Sequence, residues 1–313
     1  MRKEVIAILC SDLHLSHTAP KVRSGEPDWY KAMARPLSEL RRAGNRHGVP
    51  IICAGDIFHR WESSPSIINF ALGALPPSMW TIPGQHDIPD HNIDQIHRSA
   101  YRTLDMSRRI SDMSCMMNPV AKNAKLEVYA FPFGKAIHPP TGKRESAVRA
   151  CVAHRYYWTR DACYELADAE TMIRTTTPRE FRGYDVVILG DNHHHFKQMT
   201  THGGNTTMIY NCGSMTVRRS DEIGKCGYYG ILYDDTTIET IKFDSDEDRI
   251  EVVDDMSDIV EERLDMDSLA EELSKLAESD LDFATAMRRY LRANPTRKQI
   301  RAIIMEALKH GQE

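Results

Sequence analysis

The sequence predicts an α/β fold, a four-layer α/β-β/α sandwich of two packed sheets with a small helical appendage at its C-terminal end. Three observations predict it. Short apolar runs end abruptly at polar clusters, as in Pro50-Ile51-Ile52-Cys53-Ala54-Gly55-Asp56, which is how strands covered on both faces read. Amphipathic helical patterns separate the first of these runs. The later runs follow one another without helices between them, which suggests a second sheet packed on the first.

In order, Val5–Cys10 is a strand leading into Ser11-Asp12-Leu13-His14, and residues 28–47 carry Trp29, Met33, Leu37 and Leu40 at helical spacing up to Gly48. The strand into Asp56 follows, then a helix over 63–75 closed by Pro76-Pro77, then the strand Met79–Ile82 into Gly84-Gln85-His86-Asp87. Residues 92–105 read as helix. Leu126–Phe133 alternates like a strand of a partly exposed sheet, and Val148–Ala153 leads into His154. A helix is expected over 162–174. Strands are expected at Val186–Leu189, which runs into Gly190-Asp191-Asn192-His193, and at Thr207–Cys212. Two more at Gly227–Tyr233 and Thr237–Phe243 are joined by an Asp234-Asp235 hairpin turn.

The chain has 313 residues and 41% apolar content, enough for one large domain of residues 1–243 with an appendage. Residues 244–267 hold twelve acids against Arg249 and Arg263, so this stretch carries −10 of a total of −5 and the remainder is +5. It reads as an acidic linker with a short strand at Ile250–Val253, preceding a helical module at 268–313. That module holds apolar helical patterns at 269–276, 281–291 and 296–308. No apolar run approaches the roughly 18 residues of a membrane span. The N-terminus leads into only six apolar residues, too few for a secretory signal, so a soluble protein is expected. The seven cysteines are scattered without a Cys-x-x-Cys pair, and several lie in apolar runs, which suits a reducing cytoplasm.

Asp and His two apart on an extended segment project to one side, so Asp12 with His14, and Asp191 with His193, can each face one ion. With Asp56, Gln85 and His154 they make a set of oxygen and nitrogen donors at strand ends, enough for two ions sharing a carboxylate. Each alone reads as a cap, a turn or a core histidine. The ordered set carries the functional reading. His17, His47, His59, His97, His138 and His202 read as ordinary residues, and His193-His194-His195 also reads as a surface cluster.

In this order the motifs resemble the calcineurin-like metallophosphoesterase superfamily, with Asp12-Leu13-His14, Gly55-Asp56, Gly84-Gln85-His86-Asp87, His154 and Gly190-Asp191-Asn192-His193 as its D-x-H, G-D, G-N-H-D, lone His and G-H-x-H. The segments Ser11–Leu15, Gly55–Phe58, Ile82–Gly84 and Tyr210–Ser214 look most like the SbcD-type nucleases, the family that includes the meiotic recombination nuclease. The resemblance implies one metal on Asp12, His14, Asp56 and His193 and a second on Asp56, Gln85, His154 and Asp191. Mn²⁺ or Mg²⁺ would polarise the phosphate and activate a water, while His86, oriented by Asp87, would assist the departing oxygen. It implies DNA as substrate, an SbcC-type ATPase gripping the C-terminal helices, and a second copy of the chain as a further partner. Gln85 stands where the family has Asn, and Asp191 where it has the first His. Both can donate oxygen, and the oxygen-richer second site favours Mn²⁺ or Mg²⁺. His59 and Arg60 follow the Gly-Asp motif and are assigned no role. The competing readings are a phosphatase or phosphodiesterase of a protein or small phosphorylated molecule, and a non-catalytic binding module.

Overall fold

β1 (Val5–Cys10) runs through the middle of the first of two sheets because it is apolar on both faces and almost wholly buried. A computed structural model describes residues 3–77, 79–114, 119–122, 124–162 and 169–252. The chain divides into two compact units, Met1–Val253 and Asp254–Glu313; the expected C-terminal helices lie outside the described residues.

α1 (Trp29–His47) starts where the Asp28 side chain accepts the Lys31 N–H and stops at Gly48 in the left-handed conformation. β2 (Ile51–Cys53), α2 (Pro65–Ala74) and β3 (Met79–Thr81) follow as expected. The helix expected over 92–105 divides at Ser99: a 3-10 turn, Ile93–Arg98, precedes α3 (Ala100–Met106), whose first turn is capped by the Ser99 hydroxyl accepting from Arg102 N. β4 (Ile110–Asp112) closes the parallel run β1-β2-β3-β4.

The second sheet holds β5 (Ala121–Lys122), β6 (Leu126–Phe131), β7 (Val148–His154), β8 (Val186–Gly190), β9 (Phe196–His202) and β10 (Asn205–Asn211), ordered β5-β6-β7-β8-β10-β9. β6 is buried along its whole length rather than alternating, since both of its faces are covered. Residues 163–168, within the span expected as helix, lie outside the described residues. Beyond them stand a 3-10 turn, Ala169–Thr171, and a bridge between Trp158 and Met172, so no helix reaches residue 174.

β11 (Tyr228–Tyr233) and β12 (Ile238–Lys242) form the expected hairpin but return to the first sheet, where β11 pairs antiparallel with β1. Of the described strands after β8, β10 and β9 join the second. Residues 250–252 are not strand, and residues 244–252 belong to the first unit, where Glu251 N–H donates to Val22 O at 2.8 Å.

One apolar cluster lies between the sheets, with Leu9, Ile52, Val128, Val152, Ile188 and Leu232. A second packs α1, α2 and α3 on the outer face of the first sheet. A third covers the outer face of the other sheet with Tyr157, Phe181 and Tyr184. The strands β1, β2, β3, β7 and β8 therefore end side by side in two facing sheets, and the polar clusters that follow them meet there.

Candidate metal centre

Past the ends of β1 and β2 the two chains stay zipped. Asp12 N–H donates to Gly55 O at 3.0 Å, His14 N–H to Asp56 O at 3.0 Å and Leu15 N–H to Ile57 O at 2.8 Å. The sequence reading has Asp12 and His14 on an extended segment; the structure corrects this. Asp12, His14, Asp56 and Asp191 all stand in the left-handed region, with φ of 50°, 44°, 52° and 81°. Left-handed non-glycine residues cost about 1–3 kcal/mol each and collect where side chains must be aimed.

For Asp12, His14 and Asp56 that aim is a common point. Asp12, His14 and His193 bring ligand atoms within 4.8 Å of one another, and so do Asp12, Asp56 and His154. His14 Nε2 and His193 Nε2 face each other at 2.9 Å, and Asp56 Oδ2 lies 3.7 Å from His14 Nε2 and 3.4 Å from His154 Nε2. The Asp191 N–H donates to Asp12 Oδ1 at 3.1 Å, which brings the β8 loop onto the β1 loop.

Each of two histidines has its far nitrogen fixed. His154 Nδ1 donates to Ala54 O at 2.6 Å and His193 Nδ1 to the buried Glu222 carboxylate at 2.6 Å, leaving Nε2 of each to the centre. Asp56 Oδ2 and His154 Nε2 make no hydrogen bond although fully buried. Such unpartnered acceptors cost too much to keep unless something occupies the space between them.

The electrostatics agree. Burial pushes the Asp12 carboxyl up to about 6, against the pull of His154 and His193. Burial also opposes ionisation of Asp56, but the charges of His154 and then His86 hold it down at about 2. His154 is raised well above its ordinary value: burial works against its charge, and Asp56, Asp12 and Asp191 outweigh it. The carboxylates Asp56, Asp12 and Asp191 thus concentrate negative charge around His154, where a cation would offset it. Imidazole nitrogens with carboxylate oxygens, in two overlapping sets, suit a pair of divalent ions.

His86 lies against this centre, its ring 4.9 Å from that of His14. Its N–H donates to Asp56 Oδ1 at 2.9 Å, and its ring Nδ1 donates to His59 O at 2.9 Å. Gln85 is placed by the same 3-10 turn, Gln85–Asp87, and is half-buried. Asp87 does not orient the His86 ring directly. Its carboxylate accepts the N–H groups of Phe58 at 2.9 Å and of Ile57 and Gly84 at 3.1 Å, so it ties the β3 loop to the β2 loop and positions His86 through the backbone. Burial and the Asp56 charge push Asp87 up to about 7 against those three donors.

Several site residues went unassigned in the sequence. His59, read as ordinary, stacks on His86 with ring centroids 5.4 Å apart and planes 20° apart. Burial, then the neighbouring Arg218 charge, holds its ring down at about 2. Glu222 and Arg218 come from the turn before β11, where no motif marks them. Asn211 donates to Asn192 O at 2.7 Å and His194 O at 2.8 Å, which fixes the loop carrying Asp191 and His193. His194 is buried rather than part of a surface cluster.

A family model described as calcineurin-like phosphoesterase matches residues 7–195, more than half of the chain. No curated protein matches the sequence. Among solved structures, the chain is similar to the sulfate thiohydrolase SoxB of Thermus thermophilus in complex with glycerol, at 13% identity and a TM-score of 0.38, covering 77% of this chain and 57% of that one. It is also similar to a metallophosphoesterase from Sphaerobacter thermophilus, at 13% identity and a TM-score of 0.36, covering 91% of this chain and 98% of that one.

Proposed function

We propose that this chain, which belongs to the calcineurin-like phosphoesterase family, hydrolyses phosphodiester bonds of DNA with two divalent cations, Mn²⁺ foremost. The observation that carries metal-dependent hydrolysis is the pair of overlapping donor sets on Asp12, with the orphaned Asp56 Oδ2 and His154 Nε2 facing each other. Asp12, His14, Asp56 and His193 would hold one ion, and Asp56, His154, Asp191 and Gln85 the other. Divalent ions there supply Lewis-acid polarisation of the phosphate and of an attacking water.

The chain's own residues do the rest. His86, its Nδ1–H fixed on His59 O, keeps Nε2 to hold a proton beside the departing oxygen. Asp87 holds the loop that presents it. No side chain is needed as a nucleophile.

DNA is supported by the likeness of Ser11–Leu15, Gly55–Phe58 and Tyr210–Ser214 to the SbcD-type nucleases. It is supported also by exposed Arg60 and Arg155, which directly follow His59 and His154. The same likeness makes residues 268–313 the docking module for an SbcC-type ATPase, with a second copy of the chain as a further partner. The buried free thiols Cys10, Cys53, Cys151, Cys212 and Cys226 suit a cytoplasmic setting.

The test is the purified full chain with Mn²⁺ on end-labelled linear duplex DNA and on an aryl phosphodiester, each with and without EDTA. The expected result is EDTA-sensitive cleavage of both. Cleavage of the aryl diester alone would move the substrate to another phosphorylated molecule. Cleavage of neither, by a protein shown to carry its ions, would make this a binding module.

A further inference from the structure

Glu222 is a fully buried carboxylate with no part in the motif set, and it lies beyond residue 195, outside the stretch the family model matches. It sits at the end of the 3-10 turn Ser220–Glu222, between β10 and β11. Both of its oxygens are used. Oε1 accepts from His193 Nδ1 at 2.6 Å, and Oε2 accepts from the Arg218 backbone N–H at 2.8 Å. The Arg218 guanidinium, itself buried, reaches across to donate from Nη1 to His14 O at 3.1 Å. One short segment therefore grips both histidines whose Nε2 atoms face each other at 2.9 Å.

A buried anion costs several kcal/mol unless its interactions repay it, and a neutral glutamine would fill the same space. What a carboxylate adds is a strong acceptor that holds the proton on Nδ1, so that Nε2 presents its lone pair, and it makes that nitrogen a better donor to a cation. We propose that Glu222, braced by Arg218, is the positioning residue of the ion held by Asp12, His14 and His193. It acts through the tautomer and orientation of His193 and has no comparable hold on the His154 end of the centre, where Ala54 O plays that part. The inference rests on the metal reading above and is independent of the DNA substrate.

The experiment titrates Mn²⁺ into the full chain and follows the free ion by electron paramagnetic resonance, for the parent and for Glu222→Gln. Outer-layer partners of metal-bound histidines contribute about 10- to 100-fold in affinity, so one of two sites should weaken by about tenfold or more while the other holds. In a His193→Ala background Glu222→Gln should add nothing. Parental affinity at both sites, equal weakening of both, or a further loss in the His193→Ala background would each overturn the proposal. A Glu222→Gln chain that does not fold leaves a direct reading on the parent: nitrogen-15 spectra of metal-free protein should show His193 as the Nδ1–H tautomer, and the Nε2–H tautomer would overturn it. A parent that binds no ion overturns the metal reading together with this one, whereas a parent with two ions and an unaffected variant overturns the positioning role alone.

Discussion

Gly190→Ala should cost both stability and metal, because this glycine is where the two sheets touch. A β-carbon there would stand 2.4 Å from Ala54 O and 2.8 Å from His154 Nδ1. Ordinary carbon contacts begin near about 3.5 Å, so the end of β8 or the β2 loop must move by about 1 Å in a close-packed region. Overpacking of this kind costs about 1–3 kcal/mol. The hydrogen bond from His154 Nδ1 to Ala54 O, 2.6 Å long, lies in the path of the new methyl, and losing a buried one costs about 1–3 kcal/mol more. The expected loss is roughly 3–4 kcal/mol, or about 6–16 °C in melting temperature at about 2–4 °C per kcal/mol for a domain of this size. Asp191 follows directly with its left-handed φ, so Mn²⁺ affinity should fall as well. Thermal unfolding with a parallel Mn²⁺ titration reads both. A variant melting with the parent and binding Mn²⁺ equally well would show that the sheets do not depend on this contact.

Three further outcomes follow from the centre. His86→Ala should keep its Mn²⁺ and its melting temperature while turnover of an aryl phosphodiester falls by about 10²- to 10⁴-fold; parental turnover would remove His86 from the chemistry. Asp191→His should stay active with a changed metal preference and Asp191→Ala should be crippled, so an Asp191→Ala enzyme as fast as the parent would leave His193 alone in that loop. Mn²⁺ at about 100 times its dissociation constant should stabilise the EDTA-treated protein by about 2.7 kcal/mol, and no rise in melting temperature would mean that the carboxylates Asp12, Asp56 and Asp191 do not share a cation.

Much of the centre was legible because burial leaves a signature in the chain. β1, β2, β3, β7 and β8 are apolar on both faces, so each ends visibly, and Asp12, Asp56, Gln85, His154 and Asp191 are what stands at those ends. Glu222 and Arg218 were not legible, since a turn between strands has no period and their partners lie far away in sequence. β9 escaped notice because an edge strand with exposed Lys197, Met199, Thr201 and His202 reads as loop. The assignment of β11 and β12 to the first sheet was out of reach for another reason. A hairpin carries its own register but says nothing of which sheet it joins, and here the pairing of Ile8 with Ile231 decides it.

The acidic stretch after β12 decides how residues 254–313 can be tested. Arg23 is fully buried and bonds Glu26 at 2.5 Å and Asp248 at 2.8 Å, and Asp248 also accepts from Arg35 at 2.5 Å. Arg249 N–H donates to Glu26 Oε1 at 2.8 Å, completing a clasp between residues 23–35 and 248–251. Ending the chain after Phe243 would remove Asp248 and leave two arginines short of a carboxylate. Breaking a buried pair costs about 3–5 kcal/mol, less here because Glu26 stays on Arg23, so roughly 2 kcal/mol and about 4–8 °C is expected. Ending it after Val253 keeps the clasp and should melt with the parent unit. Both chains contain every residue of the centre, and both should hydrolyse an aryl phosphodiester with Mn²⁺. Equal melting temperatures would show the clasp to be idle. A binding property lost by the 1–253 chain would then report on residues 254–313, whereas the same loss by the 1–243 chain would be mixed with damage to the first unit.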